Sequence, residues 1–287
     1  MKATRARATF LALTAAIVAM GVASSCKNSK YRRVFTRPDT LCVDSASFCR
    51  SDSSNGRYIA VDIHAEYPSP ITGRLSANIA AWVRGKLGRG TPADTMSVAG
   101  VVSYYGNAKY KNYIAGSDSA PHSFYKADCR IDGNRKNYIS LNFTLAECAQ
   151  GTHGITSVSG ITFRKNDGVP FGWNMIKDTT SKDFRNLMRE GVRSYIRKTL
   201  GENNVSDENL RSLLIPEPGA DPAGGNPLKH FPIPETAPYL SQGGMTFVFQ
   251  PYEIAPFSLG APKFTIPFRD IEQHMTKEAL TLLKKRD

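Results

Sequence analysis

Asp62, His64 and Glu66 stand at i, i+2 and i+4, alternating with Ile59, Val61, Ile63, Ala65 and Tyr67. On a strand that spacing puts all three on one face. An imidazole flanked by carboxylates there is a ligand set for zinc or manganese. The same alternation predicts a plain solvated face opposite a buried one, and no second metal signature accompanies it. His153 sits in the glycine-flanked run Gly151-Thr152-His153-Gly154. A histidine there is either a general base near neutral pH or a turn residue bonded to the backbone. A hydrolase acting on cell-wall glycan would use His153 with Asp62, His64 or Glu66. Ser123-Phe124-Tyr125-Lys126 has a serine–lysine nucleophile spacing but lacks the motifs that accompany it. Tyr252 and Glu253, in a run of aromatic residues and prolines, are ligand-binding candidates together with His153. For Glu253 the structural reading is favoured, and on a central strand it would need a partner such as Arg269.

The sequence contains no HExxH, no GxSxG and no phosphate-cradling glycine loop with lysine. Its five histidines are widely spaced. No cofactor and no metal is predicted, and a non-catalytic binding role is favoured over an enzyme.

The elements that must position these residues read as follows. Residues 59–67 form a strand ended by Pro68 and Pro70. Leu75, Ile79, Trp82, Val83 and Leu87 fall at helical spacing, with Gly88 as the stop. Asp94 is a cap for a further helix carrying Val98, Val101, Val102 and Tyr105, weakened by Gly100 and Gly106. Ile139, Leu141, Phe143 and Leu145 alternate with polar residues as a strand. Asn166-Asp167-Gly168 marks a hairpin turn after Ile161 and Phe163. Ser181 caps an amphipathic helix stopped by Gly201, and Ser206 caps a shorter one. Residues 215–238 are a long loop rich in Pro and Gly. Phe247, Phe249, Tyr252 and Ile254, then Phe264, Ile266 and Phe268, alternate as two half-buried strands, with Pro251 at an edge or bulge. Strands and helices in mixed order predict an α+β fold: mixed or antiparallel sheets with hairpins packed on a few helices, in two closely associated lobes.

Lys2, Arg5 and Arg7, then an apolar run from Phe10 to Val22, read as a secretory signal over residues 1–25. Ala23-Ser24-Ser25-Cys26 is similar to a lipobox, so Cys26 is the predicted lipidation site and the membrane the predicted partner. Residues 26–56 read as a polar tether, 57–150 as an N-terminal α+β lobe and 151–287 as a C-terminal domain. The net charge is +12. In an exported chain this favours anionic glycan or an envelope protein over nucleic acid. Without Asp after Cys26, similarity to lipoprotein sorting rules in a Gram-negative cell implies the outer membrane, facing the periplasm. Cys42, Cys49, Cys129 and Cys148 predict two disulfides; of three connectivities, Cys42–Cys49 with Cys129–Cys148 closes local loops. Oligomeric state is not encoded in any motif.

The run Phe249-Gln250-Pro251-Tyr252-Glu253-Ile254-Ala255-Pro256, then Gly260 and Ile266-Pro267, resembles the signature of the RsiV/PdaC-like C-terminal domain, which has no general assigned activity. Gly151-Thr152-His153-Gly154, Ile161-Thr162-Phe163 and Asp167-Gly168 resemble its Gly-Gly-x-His-Gly turn and following hairpin. Residues 58–87 resemble the partner domain that precedes it. Relatives with deacetylase activity carry it in a separate domain with a metal-binding histidine pair, which has no counterpart here. The extracellular part of RsiV-type proteins binds lysozyme, so the resemblance implies a ligand-binding or sensing module. A basic receptor is a poor electrostatic match for basic lysozyme itself.

Overall fold

The computed structural model describes residues 41–54, 57–69, 73–88, 96–116, 122–149, 154–201, 204–215 and 231–284. The signal segment, Cys26, the tether up to residue 40, Asp94, His153 and most of the Pro/Gly-rich loop lie outside them.

A six-stranded sheet runs in the order β1 (Val43–Ser54), β2 (Arg57–Pro68), β3 (His122–Asn134), β4 (Tyr138–Cys148), β5 (Ile155–Arg164) and β6 (Pro170–Phe171). All neighbours are antiparallel except β2 and β3. That parallel pair needs a crossover, and helices α1 (Gly73–Leu87) and α2 (Val98–Ala115) provide it. They cover one face of the sheet. Val61, Ile63 and Ala65 of β2, Ala127 of β3 and Leu141 of β4 meet Leu75, Ile79, Val83, Val101 and Val102 there.

Ser97 caps α2, accepting from the Gly100 N–H at 3.1 Å. Gly106, whose composition suggested a weak helix, is a contact instead. A Cβ there would lie 2.2 Å from the Phe48 ring, so glycine lets β1 and the helix approach.

The second sheet orders β7 (Tyr239–Leu240), β8 (Gly244–Val248) and β9 (Lys263–Pro267), all antiparallel. It lies between β5 and helix α3 (Lys182–Leu200). Phe247 and Phe264 stack on the α3 side, where Gly191 admits the Phe264 ring. Tyr239 and Val248 face the other way, onto Gly160 and Val158 of β5. The expectation of half-buried alternation therefore fails for β8, whose five residues are all buried. Both of its faces meet protein, so alternation sorts two contacts rather than inside from outside. Pro251 lies beyond the strand in a turn, not at an edge or bulge.

Ser181 and Gly201 bound α3 as expected: Ser181 accepts from Phe184 N and Gly201 takes φ +67°. Ser206 caps α4 (Asp207–Leu213). Helices α5 (Phe268–Ile271) and α6 (Lys277–Leu283) close the described chain. The result is α+β, with a six-stranded mixed sheet, a three-stranded antiparallel sheet and six helices among the described residues.

The expected disulfides do not form. Cys42 and Cys49 lie on one extended segment, roughly 23 Å apart at the rise of a strand, far beyond the reach of a disulfide. Cys148 pairs in register with Phe124, five residues from Cys129, whose own partner is Phe143. No two of the four join. Cys129 is fully buried, and desolvation, helped by Asp128 and Glu66, pushes its thiol up to about 12.

Candidate functional site

The face of the large sheet opposite α1 and α2 carries Asp62, His64 and Glu66, on one side as their spacing predicts. Their chemistry diverges. His64 Nδ1 is 2.9 Å from Ser47 Oγ on β1. Glu66 Oε2 accepts the Ile131 N–H at 2.8 Å. Parallel pairing of β2 with β3 ends at Ala65 and Cys129, and β3 shifts register between Ile131 and Gly133. Glu66 thus satisfies a backbone donor that the ladder leaves over. Asp62 stays exposed.

Asp128 stands in register beside His64, yet its Oδ2 accepts from Arg130 Nε at 2.7 Å. His64 Nε2 and Asp128 Oδ1 each lack a hydrogen-bond partner among the described residues. A serine–histidine pair is therefore present without an acid orienting the second ring nitrogen, as nucleophilic catalysis requires. No group of three metal-ligating side chains occurs among the described residues. Ser123 and Lys126 alternate to opposite faces of β3, one buried and one exposed, which separates that nucleophile spacing. His153 lies outside the described residues.

The turn after β8 is organised differently. Gln250 bonds Val158 twice, accepting from its N–H at 3.1 Å and donating to its carbonyl at 2.6 Å. A further bond joins Gln250 Nε2 to Thr236 Oγ1 at 3.0 Å. Glu253 does not pair with Arg269, which lies beside Asp270. Its two oxygens accept the backbone N–H groups of Glu235 and Gln250, each at 2.6 Å. Two fixed donors replace a cation. Burial still raises the Glu253 carboxyl above its ordinary range, against the lowering by those donors.

Ile254 and Ala255 are buried. Of the QPYEIAP residues, Tyr252 and Pro256 are exposed; Tyr252 is 66% exposed, and its φ of +67° is the only positive value at a non-glycine residue among those described. The left-handed conformation costs an ordinary residue roughly 1–2 kcal/mol. The ring stacks on Phe257, itself exposed, with centroids 5.5 Å apart.

A separate cleft of about 420 Å³ opens where α1 ends against α2, β3 and β4. Tyr104, Tyr105, Tyr125, Lys86, Lys109 and Glu147 line it. Sequence reading missed it because these residues come from four elements and follow no shared spacing. The adjacent Tyr104-Tyr105 was the one local signal.

The chain is an α+β protein with two sheets and an aromatic turn displayed between β8 and β9. The family described as "Protein of unknown function (DUF3298)" matches residues 176–269, the segment holding α3, the second sheet and the aromatic turn. Residues 176–269 are thus a DUF3298 domain, the RsiV/PdaC-like C-terminal domain. No curated protein matches the chain. A DUF3298 family member from Bacteroides fragilis NCTC 9343 superposes with a TM-score of 0.56 at 14% identity, over 84% of this chain and 95% of that one. A DUF3298 family protein from Pseudomonas aeruginosa PAO1 gives 0.55 at 12% identity, over 83% and 96%. At such identities the likeness is one of fold.

Proposed function

We propose that the chain is a lipid-anchored binding or sensing module of the cell envelope, acting without catalysis on an envelope glycan or protein. The observation that carries this reading is Tyr252. Gln250 and Glu253 are committed to holding the turn, and the turn holds an aromatic residue outward at a backbone cost. Unfavourable local geometry at an exposed aromatic residue is what a contact surface would maintain. The divergence of Asp62, His64 and Glu66 to separate partners supports binding over hydrolysis.

The anchor rests on the leader and Cys26. Metabolic labelling with an alkyne fatty acid tests it: Cys26→Ser abolishes the label, and a label that persists removes the anchor from the account. For the ligand, the full chain in detergent is used to capture envelope components, with Tyr252→Gly as the paired control. A second reading, a structural lipoprotein holding anionic polymers by charge, draws on the +12 balance. It predicts capture that collapses with salt and ignores Tyr252.

A further inference from the structure

The cleft between α1, α2, β3 and β4 has the composition of a built site. Tyr104 stands at its rim, 38% exposed, and meets Tyr105 edge-on with centroids 5.4 Å apart. Gly88 provides the space for Tyr105: a Cβ there would fall 2.1 Å from the ring. Glu147 Oε1 accepts from Lys109 Nζ at 2.7 Å and from Tyr113 Oη at 2.8 Å. Lys109 also lies 4.7 Å from the Tyr125 ring centre. One cation and the single carboxylate of the lining therefore cancel.

Lys86 is left over. It is half-buried, and its ammonium lies over the Trp82 ring, 5.6 Å from the centroid, with no ion pair to a carboxylate among the described residues. Burial lowers its pKa, the mark of a charge short of solvent. An anion arriving in the cleft would supply the missing partner. Tyrosine offers a ring face with a hydroxyl at its tip, and a pyranose offers a C–H face with a rim of hydroxyls. The volume falls in the range of small-ligand sites.

We infer that this cleft is a second binding site, separate from the Tyr252 turn, for a carboxylated saccharide whose ring stacks on Tyr104 and whose carboxylate pairs with Lys86. The ligand class follows from a cation that has no carboxylate partner among the described residues and is set among tyrosines. The site does not depend on what the Tyr252 turn binds.

The test uses the full chain and oligogalacturonides of two to four residues, against neutral galacto-oligosaccharides of the same lengths. Binding is read by calorimetry and by Trp82 emission, since the Lys86 ammonium lies on that ring. The acidic sugars bind saturably, and the neutral ones at least tenfold more weakly. Lys86→Gln and Tyr104→Ala each weaken acidic-sugar binding at least tenfold. Lys86→Arg retains it, which separates lost charge from lost folding. Tyr252→Gly leaves it unchanged. The proposal is overturned if no acidic sugar binds, if neutral sugars bind equally well, if Lys86→Gln binds like the parent, or if Tyr252→Gly abolishes binding.

Discussion

Gln250 clasps Val158 across the two sheets with the two-point pattern that one strand offers another, N–H to oxygen at 3.1 Å and nitrogen to carbonyl at 2.6 Å. β5 pairs with β6 only at Thr162 and Phe163. Val158 therefore lies on a stretch of edge with no strand beside it among the described residues, and a side chain supplies the partner. Gln250 is a joint between layers.

Replacing that joint leaves both backbone groups of Val158 short of a partner. Gln250→Ala should destabilise the chain by about 2–3 kcal/mol. Gln250→Glu keeps an acceptor for the N–H and loses the donor, so it should fall between the parent and the alanine variant. Urea denaturation of the three proteins gives the order directly.

Tyr252→Gly separates contact from support. Glycine adopts φ +67° without the steric cost paid by tyrosine, but it loosens the unfolded chain and loses the Phe257 stack. These effects oppose one another, and the net change should stay within about 1 kcal/mol. A loss above that value by thermal or urea melting would show that the ring is structural.

His274 sets a pH dependence. Its side chain lies 5.7 Å from the Phe184 ring, and Nε2 has no partner among the described residues. Burial first, then Lys177, lowers its pKa below the ordinary 6.5. The unfolded histidine takes up a proton near that value while the folded one resists. Between the two, the unfolded state binds more protons, and stability falls as pH falls below 6.5. Glu253 acts in the opposite sense above its ordinary 4.5, because its raised carboxyl makes ionisation unfavourable in the fold. Comparing His274→Phe with the parent in the same buffers cancels that contribution. The variant should lose the decline between about pH 7 and about pH 5.

Gly106→Ala tests the approach of α2 to β1. Helix propensity alone would favour alanine by about 1 kcal/mol. The Phe48 ring, 2.2 Å from the new Cβ, should reverse the sign and give a net loss of about 1–3 kcal/mol. In a Phe48→Ala background the same substitution should become stabilising. A double-mutant cycle by denaturation measures the coupling.

These sites divide by how far their causes lie along the chain. Ser181 and Gly201 announce α3 because a cap is settled within a turn of the residue itself. The β2 face was legible from alternation, including the grouping of Asp62, His64 and Glu66. What each carboxylate does was not: Glu66 answers a register shift in β3, 65 residues away. β8 misled because a second layer covers its outer face. Ser140 and Thr162 likewise sit at polar positions of their strands yet are buried, bonded to each other at 2.9 Å, with Thr162 Oγ1 accepting from Leu240 N at 2.8 Å. The cysteines failed for two reasons: Cys42 and Cys49 lie along one extended run, and Cys129 and Cys148 stand five residues out of register across the β3–β4 hairpin. Tyr252 was singled out by its motif, but its left-handed backbone is visible only in the fold.

The most direct test of the binding account is paired capture from envelope extracts by the full chain and by Tyr252→Gly, at low and high salt, with melting curves recorded on both. The account predicts a glycan or protein retained by the parent at both salts and reduced at least tenfold by the variant at unchanged stability. Equal retention by the two proteins would contradict it.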